Sequence, residues 1–177
     1  MKAAVLVACV GNIFKSDDGF GVAVAARLAE GPLPDGVRVV DFGIRSVHLV
    51  YEVLSGYDVL VLVDTVSQQD GPPGSLYVIE PVLPPRDLSG DVPEVVMDAH
   101  DLSPGGVLAL IPVLGGHVDR ILVVGCRPAS LEDGIGLSPE VSAAVEPAAV
   151  LVRDVVVREH ARLPVPADPS PIARGGG

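Results

Sequence analysis

Short apolar runs separated by helical stretches constrain this chain more than any other feature. Residues 3–9, "AAVLVAC", form the continuous apolar run that a strand buried on both faces needs. "DDGFGVAVAARLAE" then reads as a helix, "VRVVDFG" as a second strand ending at Asp41, and "SVHLVYEVLSGY" as a helix with Ser46 as candidate N-cap. "DVLVLVDTV" is a third strand ending at Asp64, "GSLYVIEP" a fourth after a Pro-Pro-Gly turn, and "DRILVVGC" a fifth. Between the last two, "SPGGVLALIPVLG" reads as an imperfect helix with Ser103 as cap and Pro104 at its first position. "SPEVSAAVEPAAVLVRDVVVREHARL" is a long final helix capped by Ser138, with Pro147 expected to kink or interrupt it. Strands alternating with helices imply an open α/β sheet with helices on both faces.

The 177 residues suffice for one domain with a full core. That domain is expected over residues 1–163, followed by a flexible Pro- and Gly-rich tail, "PVPADPSPIARGGG", at 164–177. Residues 81–99 form a long Pro-rich connection, which inside a compact domain is usually functional or mobile. A net charge of -11 argues against nucleic acid and anionic membrane surfaces as partners and suits a basic protein segment better. The two cysteines, Cys9 and Cys126, make neither a disulfide framework nor a CxxC metal site, and are expected as buried thiols in a reducing compartment. No apolar run approaches bilayer length, and "MKAAVLVACV" reads as the first strand rather than a signal peptide, so the expected location is cytoplasmic.

Chemistry is expected at the carboxyl ends of the strands, where open α/β sheets bind ligands. Asp17 and Asp18 stand side by side where the first strand gives way to a helix. A helix N-terminus or a metal ion would offset their repulsion. Asp41 and Asp64 end strands two and three, and His100 follows strand four just before a helix. Two carboxylates and an imidazole are a reasonable ligand set for a divalent metal such as nickel or zinc, with positions left open for substrate or water. Asp17 reads most simply as a helix N-cap, and either Asp17 or Asp41 is a candidate general base. Gly11 and Asn12 shape the turn or line the site, whereas His48, His117 and His160 read as ordinary helix or loop residues. HExxH, GxSxG, the Walker loop and a complete GxGxxG are all missing.

"GNIFKSDDGFGVAVA" resembles the N-terminal signature of the hydrogenase maturation proteases. "LVLVDTV", "DAHDLSPGGVLAL" and "VVGCRPASLEDGIGLSPEVSAAVEPA" resemble that family's later blocks in the same order, so the likeness runs over residues 3–158. It implies a three-layer α/β/α fold with a twisted, mostly parallel five-stranded sheet. It also implies an endopeptidase that removes a C-terminal extension from the nickel-iron hydrogenase large-subunit precursor after nickel insertion. The family's metal-contacting residues carry over to Asp18, Asp64 and His100, with the nickel supplied by the substrate. Two blocks depart from the pattern. The first turn reads Cys9-Val10-Gly11-Asn12 where the family usually has Gly-x-Gly-Asn, and "FGIRSVH" stands where Gly-Gly-Thr often follows Asp41. The second departure suits a different partner or subgroup preference. Two rivals within reach of the same residues are a non-catalytic module that inspects or binds a nickel site and another metallo-hydrolase on a related sheet. A phospho-receiver domain fits less well, because its acid pair would sit at the strand's end and its fifth strand would end in Lys rather than Gly125-Cys126-Arg127.

Overall fold

In a computed structural model, residues 4–81, 108, 111 and 114–164 are described. His100, the helix start at Ser103 and Pro104, most of the Pro-rich connection and the tail from residue 165 lie outside them. Five strands form one sheet: β1 (Val5–Val10), β2 (Val37–Gly43), β3 (Val59–Thr65), β4 (Leu76–Ile79) and β5 (Arg120–Cys126). Their order is β2-β1-β3-β5-β4. The first three and β5 run parallel, and only β4 is antiparallel, paired with β5 at the sheet's edge. The central strands are the most apolar: all six residues of β1 and the first six of β3 are buried. Edge strand β2 is only partly covered, and its sequence is correspondingly mixed.

Helices cover both faces, as expected. On one face α1 (Phe20–Ala29) and α3 (Pro139–Arg162) set Phe20, Val24, Leu28, Val152 and Val156 against Val5, Val7, Val61 and Val63. On the other, α2 (Ser46–Leu54) sets Leu49 and Val53 against Leu6, Leu60 and Leu62. Leu108 and Ile111, both helical, join that second cluster. Each such side chain, fully buried, contributes roughly 1.5–3 kcal/mol. Among the described residues no helix is long and apolar enough to cross a membrane. Cys9 and Cys126 are free and buried, their thiols pushed up to about 12 and about 11 chiefly by that burial.

Some boundaries differ from the sequence reading. Asp17 does not cap α1: it lies in a 3-10 turn, Ser16–Gly19, and the N-cap is Gly19. Ser46 is the first residue of α2, with Arg45 at the cap. Asp41 lies inside β2, which runs on to Gly43, and β3 ends at Thr65 rather than Asp64. Pro147 does not interrupt α3, which continues through it as one helix of 24 residues. Ser138 does cap α3, its hydroxyl accepting from Val141 N at 3.4 Å, with Pro139 next.

Two glycines let α1 sit where it does. A Cβ on Gly21 would lie 2.0 Å from the carbonyl oxygen of Val10 and 2.7 Å from that of Val63. The first turn of α1 is therefore pressed onto the carboxyl ends of β1 and β3. Gly11, at φ +145°, faces the same problem, since a Cβ there would lie 1.9 Å from the carbonyl oxygen of Asp18. Backbone atoms cannot yield as a flexible side chain does. Gly21→Ala is therefore expected to destabilise the fold by about 3 kcal/mol, lowering the thermal midpoint by roughly 6–12 °C. A midpoint within about 2 °C of the parent protein would refute this close-packing account.

Candidate active site

The strand order places a crevice where the sequence expected chemistry. From β1 the chain passes to β2 on one side, whereas from β3 it passes to β4 and β5 on the other. Connections thus diverge between the carboxyl ends of β1 and β3, the switch point where open α/β sheets bind ligands. Asp18 follows β1 and Asp64 lies one residue before the end of β3.

Asp18 is held from two sides. The Asn12 backbone N–H donates to its Oδ2 at 2.8 Å, and the Thr65 hydroxyl donates to its Oδ1 at 3.3 Å. Asn12 is itself locked by an Asx turn, its Oδ1 accepting from Phe14 N at 2.9 Å. Thr65 also reaches the second carboxylate, its backbone N–H donating to Asp64 Oδ1 at 2.7 Å. One residue thereby links the two acids. Asp64 is only 6% exposed. Burial pushes its carboxyl up to about 7, the neighbouring charge of Asp18 adds to the rise, and the Thr65 hydrogen bonds oppose it. A carboxyl poised near neutrality beside a second carboxylate is a place where a cation can take over from a proton.

Asp17, considered above as a cap or general base, faces elsewhere and has a structural role. Its side chain is completely enclosed. Oδ1 accepts from Ser138 N at 2.6 Å, and Oδ2 accepts from Ala129 N, Ser130 N and the Ser138 hydroxyl at 2.8, 3.0 and 3.0 Å. Burial alone would raise this carboxyl, but the donors of Ser138, Ser130 and Ala129 outweigh it and hold the group below its ordinary range. Asp17 thus ties the loop after β1 to the loop before α3.

Asp41 is solvent-exposed, and its Oδ1 accepts from Gly43 N at 2.9 Å within its own turn. Among the described residues it makes no hydrogen bond to Asp18 or Asp64. His100 lies outside the described residues, so only the carboxylate pair of the expected ligand set is placed. Among the described residues no group of three or more His, Cys, Asp or Glu side chains is gathered to hold a metal. Of the histidines read as ordinary, His117 lies 2.6 Å from Asp119 beside the start of β5, at the other end of the sheet. Sequence reasoning missed Thr65. Its signal was its position directly after Asp64, but nothing local says that its hydroxyl turns to an acid 47 residues away.

The raised carboxyl of Asp64 has a thermodynamic consequence. Its folded value, about 7, lies above its ordinary 3.8, so the native state holds a proton that the unfolded chain releases between those values. The stabilisation is fully present below the unfolded value and is lost as pH rises through about 7. Asp64→Asn keeps an acceptor for Thr65 N without the charge. Its thermal midpoint relative to the parent is expected to rise between pH 5 and pH 8, with a gain of about 2–4 °C or more at pH 8. An offset identical at the two pH values would contradict the buried-carboxyl account.

Comparisons with known proteins bear on what this site belongs to. The family model described as hydrogenase maturation protease matches residues 22–155, a range that includes Asp64 and begins after Asp18. The chain is 36% identical over 146 residues to the hydrogenase expression/formation protein HupM of Azotobacter chroococcum mcd 1, covering 81% of this chain and 67% of that protein. It is 30% identical over 145 residues to the hydrogenase 2 maturation protease of Escherichia coli (strain K12), covering 81% and 85%. Among solved structures it is similar to the hydrogenase maturating endopeptidase HybD from E. coli. The TM-score there is 0.69 at 27% identity, with 90% of this chain and 94% of that one covered. A five-stranded sheet of this order, matched in sequence over most of its length, belongs to the hydrogenase maturation protease family.

Proposed function

We propose that this protein is an endopeptidase that removes a C-terminal extension from the precursor of a nickel-iron hydrogenase large subunit after nickel has been inserted. Family membership supports the processing of a hydrogenase precursor. The observation that carries the finer reading is the carboxylate pair, Asp18 and Asp64, joined through Thr65 at the switch point of the sheet. Two carboxylates are an incomplete set for a resident ion, and imidazole suits nickel better than carboxylate does. They fit a cation whose remaining ligands come with the substrate, with His100 as the third contact from this chain. Nickel here is part of the substrate, and zinc is a substitute in vitro.

In this reading Asp18 and Asp64 recognise a nickel-loaded site and leave an empty one unbound. The ion supplies polarisation of the neighbouring peptide bond. Thr65 and the Asn12 N–H orient Asp18, and a cation brought beside Asp64 would favour its ionised form against the burial that raises it. Asp41, the solvent-exposed acid on the neighbouring strand, takes the general-base role.

The decisive experiment is the intact mass of a large-subunit precursor, with and without nickel, after incubation with this protein. Loss of a C-terminal peptide from the nickel-loaded form only is the expected result. Binding without cleavage would instead favour an inspection module, and equal cleavage of both forms would remove nickel from recognition. Asp18→Asn is expected to lower processing at least about 100-fold while leaving the fold intact. Full activity in that variant would end the metal-contact role of Asp18.

A further inference from the structure

The loop that carries Asp18, and two segments bonded to it, hold apolar side chains out in solvent. Ile13 and Phe14, after β1, are 48% and 63% exposed; Ile44, after β2, is 71% exposed; Ile135, before α3, is 84% exposed. Single exposed apolar residues are ordinary, but a contiguous set marks an interaction surface. These four sit on three segments that the backbone holds together. Gly11 N donates to Gly43 O at 3.0 Å, beside Ile44. Gly134 N donates to Phe14 O at 2.9 Å, and Ser16 N returns a bond to Gly134 O at 2.9 Å, beside Ile135. The same loop supplies the Asn12 N–H that holds Asp18. The segments that carry these exposed side chains are therefore pinned together, as a rim, around the loop that holds Asp18.

On these segments Lys15 and Arg45 offset Glu132 and Asp133, whereas the whole chain carries -11. Lys15 is paired with Asp133 at 3.3 Å. A basic segment would find no excess of negative charge among these residues, whereas apolar side chains would find complementary ones.

We propose that this rim docks apolar side chains that flank the bond cut in the protein substrate. The proposal rests on the processing activity inferred above. The substrate is the occupant because one loop serves both: residues 12–16 hold Asp18 through the Asn12 N–H and carry Ile13 and Phe14 into solvent beside it. A second copy of the chain seated there would cover that loop.

The test compares the parent with a Phe14→Ser/Ile135→Ser double variant and with Ile44→Ser. Thermal midpoints first establish that these exposed substitutions leave the fold intact. Steady-state processing of nickel-loaded precursor is then measured at about 50 and 500 mM salt, a range over which screening suppresses exposed charge pairs. The double variant is expected to lose about 10-fold or more in kcat/KM, nearly all through KM, and Ile44→Ser a smaller share. The parent's KM is expected to change by less than about 3-fold with salt. An unchanged KM in both variants, while the parent cuts normally, would overturn the rim and leave the processing activity standing. A parent KM that climbs steeply with salt would assign docking to charge instead. A parent that sediments as a dimer, reduced to monomer by the double variant, would assign the rim to a second copy. A parent that neither binds nor cuts the precursor would overturn the activity and the proposed occupant together.

Discussion

The buried carboxylate of Asp17 is the interaction on which the carboxyl edge of this protein depends. A charge enclosed in protein is tolerated only when its lone pairs are met. Here three backbone N–H groups and one hydroxyl meet them, all from residues 129–138. The same residue donates its own N–H to the carbonyl of Ser130 at 3.2 Å. Two loops more than a hundred positions apart in the chain are thereby joined. The 3-10 turn that carries Asp18 is held in place from one side by this tie and from the other by the close passage of Gly11.

Adjacent in the chain, Asp17 and Asp18 solve the repulsion between like charges by facing different surroundings. Asp17 turns into a shell of donors and its proton affinity falls. Asp18 turns toward Asn12, Thr65 and the switch point of the sheet. The less compensated acid is Asp64. It has the N–H of its neighbour for support, is almost fully enclosed, and shares Thr65 with a second carboxylate. Stability given up at such a position is the usual cost of a functional site.

Much of the architecture was legible because burial writes itself directly into composition. Strands covered on both faces read as unbroken apolar runs, and β1 and β3 did so. Caps were less legible. Ser138 was recognised because its partner, Val141, lies three residues away. Asp17 resembled a cap for the same local reason, yet its partners lie 112 to 121 residues away. No local pattern carries that information. Pro147 showed the converse, since a helix supported by packing on α1 and the sheet continues past one missing N–H.

By itself the sequence determined the layered α/β class, the position of acids at the strand ends and the likeness to one family of maturation proteases. These follow from residue type and spacing along the chain. Only the tertiary structure decided which of the acids meet. It withdrew Asp17 into a structural tie, left Asp41 exposed in its own turn, and joined Asp18 to Asp64 through the hydroxyl and N–H of Thr65. The reason is geometric: at the end of a sheet, neighbours in space are set by strand order and by where glycines let backbones touch. Neither is a property of any stretch short enough to read by eye.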